Sequence, residues 1–513
     1  MKQSDDLFDL IKSLKKTEKR YFKIYATRHS EQANSAKLFS AIEKMTEYDE
    51  AALRRIFSGE KFLDQLAVAK NYLSKIILES MTLYHASDSV QSEITHLLQQ
   101  VEFLLNRGLS DQASKKLTKA ENLSAKYENH QKILECCTWR RTLQTKSNYK
   151  DIHLLLEREE ITLKKLQNIF EYRSISSKVF GILRQVGRNP TPEQWQLINL
   201  ALSHPLLTDA SNAICFESTG HFLNIHAAVS FLKNDKQAIY YYTKSHVEWL
   251  EAHPYQIEIH PKSYLDSVHN YLHSCFDNRK FEELESGLTK LKAMNIDTPY
   301  LEEPTFVTIH SLELLLRITC GDCTKGLESV PHIEEGLAKF PNLSPTEKAI
   351  LFERVIRILI ATGDSSGALK WVNNLINDSI IRSIRTDILS TIKLLNILIH
   401  FDLGNVDFAQ HLIRTDTKNF QKDDLPFVEF ILLSSIASLP TVQKKIVVPP
   451  SFFHDMLGAC EIHFSKHPAE LPSQVYFLSW IESRVLSKPM ELLIHSHFAE
   501  IYLNQPAPDF LMQ

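Results

Sequence analysis

The chain has 513 residues, more than one small hydrophobic core requires, so it should form several domains or one long array of repeated units. Its 13 glycines and 19 prolines are few for this length and favour long helices over a turn-rich β fold. The net charge of −4 combines +4 over residues 1–30 with −8 over the remainder, which excludes a generally basic nucleic-acid-binding protein.

The sequence predicts a cytoplasmic protein. No run of about 18 apolar residues is present to span a membrane. The first residues, MKQSDDLFDLIKSLKK, are charged where a secretory signal would be apolar. Seven scattered cysteines, an odd number, are typical of reduced thiols in a cytoplasm.

Residues 1–88 are predicted to form an N-terminal helical bundle. Leu7, Leu10, Ile11 and Leu14 give the first helix an apolar stripe. Further amphipathic helices are predicted near 17–28, 35–46, 49–57 and 63–85. No proline interrupts this part of the chain.

Residues 222–254 have the pattern of two antiparallel helices joined by a tight turn. Apolar residues recur at helical spacing on both sides of a polar corner at 233–235. Ala238 then begins the second helix with a side chain small enough for two helices to cross closely. One such hairpin cannot bury its apolar faces alone, so it should stack on similar hairpins.

The turn of this hairpin recurs along the chain. A glycine or polar residue, which permits the left-handed end of a helix, stands five positions before a second, mostly small residue. The second residue falls at positions 113, 238, 284, 326, 368 and 409, and the last four intervals are 46, 42, 42 and 41 residues. The first interval, 125 residues, is close to three times 42, so two degenerate units are predicted with crossings near 155 and 197.

These units resemble the tetratricopeptide repeat (TPR). In one unit the family's apolar, turn and crossing positions are occupied by Phe352, Val355, Leu359, Gly363, Ala368 and Val372. The resemblance covers about residues 90–420 and implies an all-α fold, with a right-handed α-solenoid of about eight TPR-like hairpins over residues 89–440. The period of about 42 residues exceeds the family's roughly 34, so each helix should be about one turn longer, and HEAT-type units are the alternative architecture.

The period is lost after Leu439. Residues 441–513 are predicted to hold a short linker and three helices near 451–466, 473–487 and 490–503. This segment should cap the apolar face of the last repeat.

Candidate metal and catalytic motifs are weak in this sequence. Cys320 and Cys323 have the spacing of a redox or zinc pair, but they lie at a predicted turn and no second pair completes four ligands. The i, i+4 pairs His269/His273 and His463/His467 offer only two ligands each. No P-loop, dinucleotide-binding, nucleophile-elbow or zinc-protease motif occurs, so no metal, cofactor or catalytic residue is predicted. An enzyme built from distant residues is a third alternative.

A basic run with interleaved aromatic residues lies near the N-terminus. Its cations are candidates for contact with nucleic acid or an acidic partner, and a solvated bundle face is the simpler alternative. They are Lys12, Lys15, Lys16, Lys19, Arg20 and Lys23. Segments 49–57 and 63–84 could be a helix-turn-helix, but the joining residues 58–62 exceed that motif's usual turn and 63–84 is as apolar as a core helix.

The TPR resemblance implies that the first helix of each unit lines an inner groove that holds an extended or helical peptide. Position by position, it places on this wall His269, Asn270 and His273 of one unit and Arg354 and Arg357 of a later unit. The family's set of Lys, Asn and Arg residues that clamps a peptide carboxylate is not reproduced.

We therefore expect a non-catalytic protein-interaction scaffold that holds a peptide or partner helix in this groove. The alternative is a regulator in which the repeats sense a peptide and the basic N-terminal bundle contacts nucleic acid or another effector. That layout resembles the peptide-sensing repeat regulators of bacteria.

Overall fold

The computed structural model describes residues 6–27, 33–85, 89–145, 152–186, 191–294, 296, 299–376, 386–416, 425–442, 445–446 and 448–503. These residues are predominantly helical, which confirms the predicted all-α class. By internal contacts the chain divides into two compact units. The first contains Met1–Gly181, Trp195–Phe222 and His253–Ile259, and the second contains Ile182–Gln194, Leu223–Ala252 and His260–Gln513.

The five N-terminal helices enclose a hydrophobic core of their own. They are α1 (Asp6–Ser13), α2 (Lys16–Thr27), α3 (Ala33–Lys44), α4 (Glu50–Ile56) and α5 (Leu66–Tyr84). Helix α5 packs against α1, α2 and α3, and the rings of Phe22 and Phe39 meet at 4.5 Å in the core. The predicted helices are found here, and α5 begins three residues late because Lys61–Gln65 forms a 3₁₀ turn.

Three further helices of the first unit pack side by side. They are α6 (Val90–Asn106), α7 (Ser110–Lys126) and α8 (His130–Gln144). Ile94, Leu98, Ala113 and Leu117 form part of the core of this group.

The predicted crossings near 155 and 197 both lie inside helices. Helix α9 (Ile152–Val186) runs for 35 residues through the first position, and α10 (Pro192–Leu202) contains the second. The physical reason is local, since residues 152–180 contain no glycine or proline that would end a helix. Helix α11 (Phe216–Leu232) follows after short 3₁₀ turns at Pro205–Leu207 and Ala210–Asn212.

The second unit continues with helices that pack on their neighbours along the chain. They are α12 (Lys236–Glu251), α14 (Pro261–Asp277), α15 (Phe281–Ala293), α16 (Pro299–Cys320), α17 (Cys323–Leu327), α18 (Val330–Lys339), α19 (Pro345–Ala361), α20 (Ser365–Ile376), α21 (Thr386–Asp402), α22 (Val406–Asp416) and α23 (Phe427–Ala437). The short α13 (Pro254–Ile259) belongs to the first unit. Helices α14, α16, α19 and α21 also contact one another in that order, in addition to their sequence neighbours.

Seven helix ends within the described ranges share one turn. The Asp364 N–H donates to the Leu359 carbonyl at 2.8 Å and the Gly363 N–H to the Ile360 carbonyl at 3.0 Å, the bond pair of a Schellman motif. In each turn one residue has a positive φ: Gly108, Glu128, Asn234, Arg279, Gly321, Gly363 and Gly404. Five of these are the predicted turn residues.

The other two turns differ from the sequence expectation. In the hairpin at 222–254 the left-handed residue is Asn234, not Lys233, so the position five residues on is Ile239 instead of Ala238. Asparagine tolerates this conformation better than lysine because its short polar side chain can bond locally. Glu128 forms a turn that no glycine marks in the sequence.

The C-terminal helices reach back along the second unit. They are α24 (Phe452–Lys466), α25 (Leu471–Leu486) and α26 (Met490–Phe498), followed by a π-helical turn at Ala499–Leu503. The buried Trp480 donates to Asp402 Oδ2 at 3.1 Å, and the Thr324 hydroxyl donates to Glu491 Oε2 at 2.8 Å. This segment therefore contacts the ends of α21 and α17, beyond the last hairpin that it was expected to cap.

Short strands β1 (Thr441–Val442) and β2 (Lys445–Ile446) pair antiparallel before α24. Among the described helices, none combines the length and the apolar character needed to cross a membrane.

Candidate functional site

The structure brings three of the five predicted groove residues into one polar cluster. His269 and His273 lie on α14, with ring centroids 4.5 Å apart, and Arg354 lies on α19. Helix α16 lies between them: His269 Nδ1 is 2.8 Å from the Thr308 hydroxyl, and the Arg354 guanidinium donates to the Ser311 carbonyl. The cluster therefore extends over three adjacent helices.

Burial sets the charge of this cluster. It lowers the pKa of His273 to about 3, and the nearby His269 and the Arg354 charge act in the same direction. Burial also lowers the pKa of His269, while it lowers that of Arg354 only to about 10. At neutral pH the cluster consequently presents two neutral imidazoles, each a donor and an acceptor, beside one guanidinium cation.

The remaining two predicted groove residues differ in availability. Asn270 is exposed on α14. Arg357 is engaged inside the fold, because its guanidinium pairs with Glu353 and lies 4.8 Å from the Tyr476 ring centroid, while the Tyr476 hydroxyl donates to its carbonyl at 2.8 Å. Helix α25 thus occupies the place where a partner would contact Arg357.

A cavity of about 390 Å³ lies between α12, α14 and α15, beside an unpredicted polar network. Glu283 accepts hydrogen bonds from the Tyr240 hydroxyl at 2.7 Å and the Tyr271 hydroxyl at 2.5 Å, and pairs with Lys244 at 3.1 Å. These bonds hold the two tyrosines as donors, and burial together with Glu283 raises the pKa of both hydroxyls.

The predicted basic face is present on α2 but is partly neutralised. Lys23 pairs with Glu43 at 2.6 Å, and Lys12 donates to the Glu43 carbonyl at 2.8 Å. The other cations of α2 line an open depression of about 590 Å³ together with Ile24, Lys23 and Glu43: Lys16, Lys19 and Arg20. Lys15, just before α2, is exposed, and its backbone N–H donates to Glu18 Oε2 at 2.6 Å.

The aromatic residues of the basic run belong to the fold. Phe22 is fully buried, and the Tyr21 ring packs on Tyr84 with centroids 4.9 Å apart. Helix α5, the possible recognition helix of a helix-turn-helix, buries Leu73, Ile76 and Ile77 in the core of the bundle, as a core helix would. The cations are thus the part of this run that is left to meet a partner.

The Cys320–Cys323 pair does not form a reactive site. Both thiols are free, and each lies within 4 Å of the Arg317 carbonyl oxygen, at 3.8 and 3.9 Å. Burial raises the pKa of Cys320 and takes that of Cys323 to about 12, so both remain protonated thiols at neutral pH. The pair therefore has a packing role at the turn after α16.

One cluster of metal-ligand side chains was not predicted. Glu128 in the α7–α8 turn, His130 at the start of α8 and Cys215 just before α11 place one ligand atom each within 4.8 Å of one another. All three belong to the first unit. Neither predicted histidine pair is part of such a three-ligand group in the chain as described, and His463 is bonded to Glu470 at 2.9 Å.

The charges of this cluster support one another. Burial alone would lower the pKa of His130, but the neighbouring Cys215 thiol and Glu128 carboxylate raise it above its ordinary value. Burial would raise the pKa of Cys215, but His130 and Ser218, whose hydroxyl is 3.0 Å from the sulfur, lower it overall. The His130 imidazole holds the pKa of Glu128 below its usual range. The arrangement therefore favours a thiolate.

No local sequence signal identifies this cluster. Glu128 and His130 are two residues apart, but Cys215 lies 85 residues beyond His130 and belongs to no cysteine motif. Only the packing of α11 against the α7–α8 turn brings the third ligand to the first two.

The chain has no match among protein-family models, and none among curated proteins.

Proposed function

We propose that this protein is a non-catalytic interaction scaffold that binds a peptide or a partner helix along α14, α16 and α19. The proposal includes an α-solenoid of TPR-like hairpins, in which these helices form the inner wall. It is supported by the left-handed turn residues Arg279, Gly321, Gly363 and Gly404, whose spacing is 42, 42 and 41 residues. The successive contacts from α14 to α21 also support it.

The observation that carries the proposal is the polar cluster of His269, His273 and Arg354. Polar side chains on neighbouring helices at shared heights suit an extended peptide, because backbone N–H and C=O groups need both donors and acceptors. Neutral imidazoles supply both, and Asn270 beside them is exposed for further contact. Free thiols at all seven cysteines fit the cytoplasmic location that we propose with this function.

The test is affinity capture with the purified full-length chain and two matched variants. Asn270→Glu places a charge on the proposed wall, and Asn373→Glu places the same charge on exposed surface of α20. Both positions are exposed, so neither change should unfold the protein. We expect Asn270→Glu to lose bound peptides that wild type and Asn373→Glu retain. Equal capture by the two variants would contradict the assignment of the wall.

The second candidate function is a regulator whose N-terminal bundle contacts nucleic acid. It is favoured by the α2 depression, where Glu43 is the one lining carboxylate and is already paired with Lys23. Lys16, Lys19 and Arg20 therefore offer uncompensated positive charge, which binds phosphates.

A charge reversal of Lys16, Lys19 and Arg20 to glutamate tests this second function. If it holds, wild type binds a short DNA duplex with an affinity that falls steeply with salt, and the slope of log K against log salt loses about three phosphate contacts, each worth about −0.9, in the variant. Absence of binding by wild type at low salt excludes it and leaves the scaffold proposal intact.

A further inference from the structure

The Glu128–His130–Cys215 cluster lies in the first unit and has no part in the proposed wall. His130 is 5% exposed and Cys215 is 8% exposed, while about 29% of the Glu128 side chain remains accessible. Their ligand atoms converge within 4.8 Å. Three different elements thus direct one imidazole, one thiol and one carboxylate to a common point.

His130 is unusual because both of its buried ring nitrogens lack a hydrogen-bond partner among the residues described. Its Nε2 lies 3.6 Å from Glu128 Oε2, just beyond hydrogen-bond distance. A buried polar atom without a partner costs about 1–3 kcal/mol, so folded proteins rarely keep one without a reason. A ligand held between the three side chains would satisfy the imidazole.

The donor set indicates the class of that ligand. Magnesium and calcium prefer sites made of oxygen atoms, whereas a thiolate with an imidazole suits zinc and similar transition metals. Three protein ligands with a fourth position open to solvent is a known zinc arrangement. Bonds of about 2.0–2.3 Å in a tetrahedron put donors about 3.5 Å apart, which the present cluster reaches by moving inward about 1 Å.

The surroundings hold the three side chains in place without the metal. The Phe216 N–H donates to Glu128 Oε2 at 3.1 Å, which fixes the carboxylate at the start of α11. Gln256 donates to the Tyr127 carbonyl at 3.0 Å and so supports the turn that carries Glu128. Such outer contacts orient ligands in metal sites.

A route for the fourth ligand is also present. Glu128 and His130 line a cavity of about 420 Å³, whose other lining groups include Arg158, Thr162 and Lys165. The two cations on its wall favour an anion or a water molecule over a further cationic ligand.

We propose that Glu128, His130 and Cys215 bind one zinc ion through a carboxylate oxygen, an imidazole nitrogen and a thiolate sulfur. Binding removes the thiol proton of Cys215 and releases it to solvent. The fourth coordination position is left to water or to an anion from the cavity.

Cobalt titration of the full-length chain, stripped of metal with a chelator, tests the site. Co²⁺ is the probe because a cobalt–thiolate bond gives a charge-transfer absorption that reports the sulfur ligand directly. We expect one Co²⁺ per chain, loss of the absorption when Zn²⁺ displaces it, and a higher melting temperature with Zn²⁺ because the ion binds the folded state.

Variants assign the ligands. Cys215→Ser should abolish the absorption, while Cys320→Ser, at the partly exposed cysteine of the other unit, should retain it. Glu128→Gln and His130→Gln should weaken Co²⁺ binding at least about tenfold and keep the helical circular dichroism of the wild type. If Cys215→Ser does not fold, the two glutamine variants decide the question. Absence of stoichiometric Co²⁺ binding by folded wild type, or an absorption that survives Cys215→Ser, overturns the proposal.

Discussion

Gly321 is the turn at which an added methyl group would meet another helix. Its φ is +76°, and a Cβ built there would lie 2.7 Å from the Glu491 carbonyl oxygen and closer still to the His495 backbone nitrogen, both in α26. Backbone atoms of a packed helix cannot yield as the end of a side chain can. Gly321→Ala should therefore displace α26 and weaken the bonds between Glu491 and Thr324.

The magnitude follows from comparison with Gly363→Ala. Gly363 has φ +86° and nothing within 4 Å of its would-be Cβ, so alanine there incurs only the left-handed backbone cost of about 1–2 kcal/mol. Gly321→Ala incurs the same cost and in addition about 1–3 kcal/mol of overpacking. The two variants together separate backbone strain from the contact with α26.

Hydrogen exchange read by mass spectrometry measures both terms locally, which suits a chain of two units better than one global unfolding curve. In Gly321→Ala, peptides from α17 and α26 should exchange faster than in Gly363→Ala, by a factor of about ten for each 1.4 kcal/mol lost. Equal exchange of α26 in the two variants would refute the packing of that helix on the turn.

Three further predictions follow from single contacts. Arg357→Ala should destabilise the second unit by about 2–3 kcal/mol, since the guanidinium between its carboxylate partner and Tyr476 is lost, whereas Arg20→Ala on exposed α2 should change urea stability by less than about 0.5 kcal/mol; similar effects would contradict the buried role of Arg357. The folded pKa of His273, about 3, lies below the unfolded value near 6.5, so its contribution is complete above pH 6.5 and falls with acid; between pH 7 and 5 His273→Gln should lose up to about 2 kcal/mol less than wild type, and parallel stability curves would exclude a neutral His273. Ser344→Ala removes one side of a capping box and should cost about 1 kcal/mol by urea unfolding, an unchanged midpoint arguing against the cap.

Sequence reasoning found the helices and the glycine turns because both depend on local chemistry. A helix appears as apolar residues at helical spacing, and Gly108, Gly363 and Gly404 mark left-handed turns because few other residues adopt positive φ easily. The all-α class followed from these two signals. The capping box at Ser344, with Glu347 three residues later, was readable for the same reason.

Features that depend on tertiary context were missed. Glu128 adopts a positive φ without any glycine signal, and a fixed period of 42 residues suggested turns where α9 continues instead. Arg357 was assigned to a groove from its position in a repeat, but α25, more than 100 residues later in the chain, packs over it. The Glu128–His130–Cys215 cluster joins residues 85 positions apart, so only the folded chain reveals it.

The central claim is that the wall formed by α14, α16 and α19 binds a partner peptide. Its most direct measurement is crosslinking from a photoreactive amino acid placed at Asn270, with the same amino acid at Asn373 of α20 as the matched position. We predict that position 270 forms a specific crosslinked product with a partner peptide in cell extract, that Asn373 does not, and that excess purified wild-type chain competes the product away. No product from position 270, or the same products from both positions, would contradict the scaffold that we propose.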